Sequence, residues 1–260
     1  MPSEKSDHIV SDMRQAIAES IADLEVLKRE TELDERAGLV RTRVPWAAHW
    51  AWRAATRKRL AEVEFLTGEP TDRWRQTLMN ALGDYSEGLR QGVNVDHWIL
   101  GQYCVLDTVL DHGPRRSYTQ APDLWWNEAC RATLFALQAS DPADRMWAHS
   151  TMVDLLMVSL MGRGPVPMYA DGDPAQTYRD VESATVVEEL DRMVEAGGGR
   201  AQCLAVWPTF RQFWRWHRWW LLNENQRYAA AREGALLGYN YLYDLVRPRL
   251  RNWIEPDTSH

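Results

Sequence analysis

Proline stands ahead of helix-like periodicity five times in this chain, and that arrangement restricts the fold more than any composition value does. Pro45, Pro70, Pro122, Pro142 and Pro174 each precede a stretch in which apolar residues recur every three to four positions, the period of an amphipathic helix. Proline suits the first helical position, where its missing N–H would have no partner in any case, and breaks a helix further in. In "SDPADRMW" and "GDPAQTYRD", Asp141 and Asp173 are placed to cap a helix that opens on the following proline, and "EPTDRWRQ" offers Thr71 as a further cap. The periodicity predicts helices over 6–32, 45–66, 71–91, 95–111, 122–139, 142–161, 174–196 and 200–222, then more helix over 224–247. No segment alternates like a strand. The expected class is all-α, as one domain spanning residues 1–260, a length that can bury a substantial core.

Two helices differ in how they distribute their apolar residues. The 142–161 segment, with "HSTMVDLLMVSLM", is apolar on nearly every side, which places it centrally. The 95–111 segment has one stripe, formed by Trp98, Ile99, Val105, Leu106, Val109 and Leu110, from which His97, Cys104 and Asp111 fall away. "DHGPRRSYTQAPD" and "GRGPVPMYADGDP" are rich in helix breakers and read as irregular connections. In "EAGGGRAQ", Gly197 is a natural residue to follow a helix end.

A formal charge of −7 argues against non-specific nucleic-acid binding, because that affinity comes from neutralising phosphates. Cys104, Cys130 and Cys203 are odd in number and lack metal-ligand spacing, which fits unpaired thiols in a reducing cytoplasm. An apolar leader is not expected at the N-terminus, and the longest apolar run, Leu155 to Met161 interrupted by Ser159, is too short to cross a bilayer. A soluble cytoplasmic protein without a membrane partner is expected. Nothing in the sequence selects an oligomeric state, and a homo-oligomer is compatible with it. The chain has 14 tryptophans against 4 phenylalanines; such side chains fill cores and also wall cavities for planar ligands.

"FWRWHRWWLLNENQRY", residues 213–228, sets four tryptophans around one histidine. On a helical wheel Phe210, Phe213, Trp214, Trp216, Trp220 and Leu221 share an arc with His217 near its middle, while Arg211, Arg215 and Arg218 lie opposite. An imidazole on such a face needs a partner or costs on the order of 1–3 kcal/mol. Three readings answer that need: a core histidine bonded to a carbonyl or carboxylate, a basic membrane-surface helix, or a ligand to a metal or haem iron. The second does not explain why the histidine sits on the apolar side, since snorkelling arginines on an ordinary surface helix account for the charge.

The stretch "FRQFWRWHRWWLLNENQRYAAAREGALLGYNYLYDLVRPRL" resembles the C-terminal region of the tryptophan 2,3-dioxygenase-like haem proteins, the haem-dependent aromatic oxygenases. In that family a Trp-Arg-x-x-His segment supplies the axial histidine and a Gly-x-x-Tyr-Leu-like element follows. Here these correspond to Trp214-Arg215-Trp216-His217, one residue shorter, and to Gly238-Tyr239-Asn240-Tyr241-Leu242. The resemblance implies an all-α fold around a haem b, with His217 as iron ligand and Trp214 beside the haem. It also implies oxygenation of an aromatic amino acid by peroxide or dioxygen. The family's substrate-gripping Gly-Thr-Gly-Gly-Ser-Ser-Gly loop is replaced by "RYAAAREGALLG", which turns the expectation from tryptophan dioxygenation toward the bacterial haem-dependent tyrosine hydroxylases. The expected reaction is 3-hydroxylation of L-tyrosine to a catechol in a biosynthetic pathway, with indole or tryptophan dioxygenation as an alternative.

Haem–oxygen chemistry is helped by a proton donor or acceptor opposite the axial ligand. His49, His97, His112 and His149 are the candidates. "VNVDHWILGQY" resembles the family's pocket-lining helix, with Asp96 and His97 at the aspartate and aromatic positions and Gly101 where a carboxylate-binding arginine stands. His97 is therefore the expected catalytic residue. His112 closes its helix near Arg115 and Arg116, which could bind a substrate carboxylate; His49 lies on a tryptophan-bearing face. Glu224, Arg227 and Tyr228 would continue the His217 face if that helix ran on unbroken. Asp107 and Asp111 have the spacing of one isoprenoid-synthase carboxylate motif but lie off the apolar stripe, as a solvated face would. The rival outside enzymology is a helical binding protein, such as a toxin-neutralising immunity protein, with tryptophans as core and contact surface.

Overall fold

A computed structural model describes residues 4–36, 46–91, 96–110, 124–160, 166–170, 173–179 and 183–196. They belong to two compact units, one within residues 1–95 and one within 96–260. Seven helices carry the described architecture, which is all-α in class, with one two-stranded hairpin added. Among the described residues no helix is long and apolar enough to cross a membrane.

The first unit contains α1 (Glu4–Arg36), α2 (Trp46–Leu66) and α3 (Thr71–Gln91). Helix α2 ends where Gly68 takes φ +70°, a conformation that only glycine adopts freely. The Gly68 N–H then bonds the Phe65 carbonyl at 3.2 Å and the Glu69 N–H bonds that of Glu64 at 3.0 Å, satisfying carbonyls the helix would otherwise leave open. Helix α3 begins at Thr71 itself, and the Pro70 carbonyl accepts from the Arg73 N–H at 2.9 Å, so Thr71 is the first helical residue and not the cap.

Small side chains then let α2 and α3 lie close together as an antiparallel hairpin. Ala47, Ala51, Ala54 and Ala61 on α2 and Ala81 on α3 are buried with Trp74, Leu78 and Tyr85. A Cβ on Gly88 would stand 3.2 Å from Trp50 Cβ and 3.3 Å from the Ala47 carbonyl, closer than side chains normally pack. Polar groups fix the register: Asp84 receives Arg53 at 2.6 Å on one oxygen and Arg57 at 2.7 Å on the other. Arg53 also lies 4.2 Å from the centre of the Trp50 ring and reaches Glu25 of α1 at 3.4 Å. At the other end of α1, Arg14 pairs with Glu69 at 2.6 Å and bonds Thr67.

In the second unit α4 (His97–Leu110), α5 (Leu124–Ala136) and α7 (Ser183–Glu195) pack against α6 (Pro142–Leu160). The helix expected to be central is so: Thr151 through Val158 are all buried. Asp141 caps it as the sequence suggests, its Oδ1 accepting the Ala143 N–H at 2.9 Å with Pro142 first in the helix. Asp96 does the same for α4, accepting the Trp98 N–H at 2.8 Å.

Cys104, off the stripe, is nonetheless fully buried, because α5 and α6 both pack against α4 and cover more than that stripe. Three sequence expectations are corrected here. Segment 174–196 is not one helix, since α7 starts only at Ser183. In place of its first turns, and within the stretch read as irregular, β1 (Val166–Ala170) pairs antiparallel with β2 (Asp173–Arg179). Asp173 is thus a strand residue paired with Ala170, not a helix cap. Prolines 167 and 174 are tolerated because both strands of a two-stranded sheet are edges. The helices expected over 200–222 and 224–247 lie outside the described residues, as do Gly197, Cys203, Trp214, His217, Glu224, Arg227, Tyr228, Asp111, His112, Arg115 and Arg116.

Candidate functional site

His97 opens α4, one residue after its cap, and the start of a helix is where N–H dipoles disfavour a cation. Its ring leaves solvent for α6: Nδ1 is 3.0 Å from Thr151 Oγ1 and the side chain is 15% exposed. Burial lowers the proton affinity of His97 below the usual 6.5, while the carboxylates of Asp96 and Asp144 pull more weakly the other way. Asp96 Oδ1 is 3.7 Å from Nε2. A neutral imidazole faced by a carboxylate is a group that can take up a proton and have the resulting cation stabilised.

The next turn explains how α4 comes close enough to α6 for that bond. A Cβ on Gly101 would meet Thr151 Cγ2 at 2.6 Å, so a larger residue at 101 would displace the Thr151 side chain. No arginine fits there at this helix separation. One residue on, Gln102 donates to Asp154 Oδ2 at 2.8 Å, with both side chains buried. Helices α4 and α6 thus meet along a polar seam, His97–Thr151 and Gln102–Asp154, set into apolar packing by Ile99, Leu100, Leu155 and Leu156. Neither Thr151 nor Asp154 stands out as a site residue in the sequence. The usable signal was a carboxylate in a helix apolar on every side, which demands a buried partner, and a lone glycine inside an apolar helix, which marks close approach.

The other histidine candidates are employed differently. His149 binds Glu189 of α7 at 2.6 Å, and Arg192 bonds the other carboxylate oxygen at 3.2 Å, so it ties α6 to α7. His49 is buried in the first unit, edge-on to Trp52 with ring centroids 6.0 Å apart, and burial lowers its proton affinity. Neither Cys104 nor Cys130 is disulfide-bonded, and burial pushes the Cys130 thiol up to about 12, which keeps it protonated and unreactive. Asp107 of the carboxylate pair is half-buried on α4. Among the described residues no group of three or more potential metal ligands occurs; axial ligation of a haem by one histidine requires no such group.

Burial of neutral His97 and His49 has a consequence for stability. Both have folded-state proton affinities below that of the unfolded chain, so as pH falls below 6.5 the unfolded state binds protons first. The stability contribution is complete above that pH and is lost as pH drops through the folded-state values. Urea unfolding between pH 7.5 and 5 should show this decline, and His97→Gln should flatten it. An unchanged slope in that variant would mean that His97 is not buried as a neutral group.

Comparison with protein-family models, curated proteins and solved structures finds no match to this chain.

Proposed function

We propose that this chain is a haem-dependent oxygenase of an aromatic amino acid, and that its reaction is 3-hydroxylation of L-tyrosine to a catechol. The observation that carries the reading is His97, a partly buried neutral imidazole bonded to Thr151 with the Asp96 carboxylate 3.7 Å away. It is joined by the resemblance of residues 210–250 to the axial-histidine region of the haem-dependent aromatic oxygenases. The residues fit such a cofactor in kind: His217, with Trp214 beside it, would hold haem b, and His97 offers a proton acceptor. When bound, the haem would supply activation of peroxide or dioxygen.

In this reading the chain's own residues contribute as follows. His97 accepts a proton from the oxidant or from the tyrosine phenol, and Asp96 stabilises the imidazolium that results. The same imidazole returns the proton later in the cycle. Gly101 leaves no side chain to grip a substrate carboxylate at that position, so an arginine elsewhere would do so, with Arg115 and Arg116 the candidates from sequence.

Incubating the haem-supplemented chain with L-tyrosine and peroxide should yield a catechol. His97→Gln should retain haem yet lose roughly 10²–10⁴-fold in rate, the range for removing a general acid–base. A ring-opened product from tryptophan and dioxygen would replace hydroxylation with the dioxygenase chemistry. Absence of both products, together with no haem uptake, would favour a non-enzymatic helical binding protein.

A further inference from the structure

We infer that Thr151 is a positioning residue that holds His97 as the tautomer protonated on Nδ1, leaving Nε2 as the proton-accepting atom, and that Gly101 is what admits Thr151 to that role. The inference begins with one hydroxyl proton. Thr151 Oγ1 lies 3.2 Å from the Trp147 carbonyl one turn back along α6 and 3.0 Å from His97 Nδ1. The carbonyl only accepts, so the threonine proton goes to it. The oxygen's lone pairs then face Nδ1, which must be the donor.

The opposite tautomer is the poorer arrangement. It would take the Thr151 proton away from the Trp147 carbonyl, and its Nε2–H would find Asp96 Oδ1 at 3.7 Å, too far for a good hydrogen bond. That carboxylate oxygen is already occupied by the Trp98 N–H at 2.8 Å. With Nδ1 protonated, every short contact is satisfied at once. Proton uptake at Nε2 then requires no rotation of the ring and no exchange of partners, and the charge that forms lies 3.7 Å from the Asp96 carboxylate. A base arranged this way can accept and release a proton without reorganisation.

Gly101 supplies the space. Thr151 approaches α4 so closely that any Cβ at 101 would press on its Cγ2 at 2.6 Å, and the atom at risk is on the same side chain that bonds His97. Displacement of Thr151 by a few tenths of an ångström is enough to lengthen the 3.0 Å bond. The glycine and threonine therefore act as a pair.

Imidazole nitrogen chemical shifts report the tautomer directly. In the full chain with ring-labelled histidine, above the pH at which His97 titrates and with its signals assigned by comparison with His97→Gln, Nδ1 should be pyrrole-like and Nε2 pyridine-like. Thr151→Val keeps the branched shape without the hydroxyl and should move His97 toward the Nε2-protonated form; Thr151→Ser should restore the wild-type pattern. Gly101→Ala should resemble Thr151→Val, and the two threonine variants carry the test should the glycine variant fail to fold. A wild-type His97 protonated on Nε2, or a pattern indifferent to Thr151→Val, would overturn the assignment.

The catalytic meaning of the tautomer rests on the proposed function, but its measurement needs neither haem nor substrate, so the two fail separately. In the working enzyme Thr151→Val should lower kcat by roughly 10–100-fold, as loss of a partner orienting a functional histidine does, with KM little changed and Thr151→Ser recovering the rate. A loss confined to KM would contradict the positioning role.

Discussion

Asp84→Ala is expected to lower the stability of the chain by about 2–4 kcal/mol, read from urea unfolding followed by far-UV circular dichroism. Asp84 is nearly buried, and its two oxygens separately receive Arg53 and Arg57 at 2.6 and 2.7 Å. Alanine removes the anion and leaves both guanidinium groups, with 14% and 21% exposure, in a place built to neutralise them. That residual access to water keeps the expected cost below the full penalty for a stranded charge in a dry core. The effect spreads because Arg53 also stacks on Trp50 and reaches Glu25, so one carboxylate holds an arginine that connects three helices. Asp84→Asn should cost less, since the amide oxygen still accepts one bond. Substitution of the exposed Asp12 should leave the midpoint where it is. A midpoint equally unmoved by Asp84→Ala would show that the alanine-lined α2–α3 contact sets the register by packing alone.

The sequence expresses helices well where local chemistry and tertiary packing agree. Asp141 before Pro142 names a cap and a first helical residue, and α6 needs no partner's identity to be recognised as central, because residues on all its sides are apolar. The same logic misreads Asp173-Pro174, where an identical dipeptide lies in a strand. Proline at the start of a helix and proline on an edge strand are locally alike, and only the pairing of Ala170 with Asp173 separates them. The burial of Cys104, away from the apolar stripe, has a different origin. A helical wheel identifies one apolar stripe, whereas burial on α4 comes from two neighbours, α5 and α6, packed on different sides.

The candidate site was legible in its histidine and illegible in its support. His97 could be picked from a motif, but the residues that give it a preferred protonation state, Thr151 and Gly101, are 54 and four positions away and are chemically unremarkable in isolation. Their importance arises from helix separation, a quantity set by whole-helix packing and invisible to spacing. His149 illustrates the converse: equally eligible in sequence, it is committed to Glu189 across the α6–α7 contact.

The second large effect concerns His217. If residues 210–222 form a helix, the sequence puts His217 on its aromatic side, where an unsatisfied ring nitrogen would be costly and a neutral one is the ligand that haem iron takes. If the ring is committed to iron, His217→Ala removes the residue that would hold the haem, and the haem absorption band should be lost. If the ring is committed to a protein group, the substitution should leave haem affinity untouched.

Haem titration of the purified full chain, read by absorption, separates these outcomes. The prediction is a strong Soret band that saturates at one haem per chain, is retained in His97→Gln and disappears in His217→Ala. A wild-type chain that takes up no haem, or a His217→Ala variant that keeps the wild-type band, would contradict iron ligation at that position.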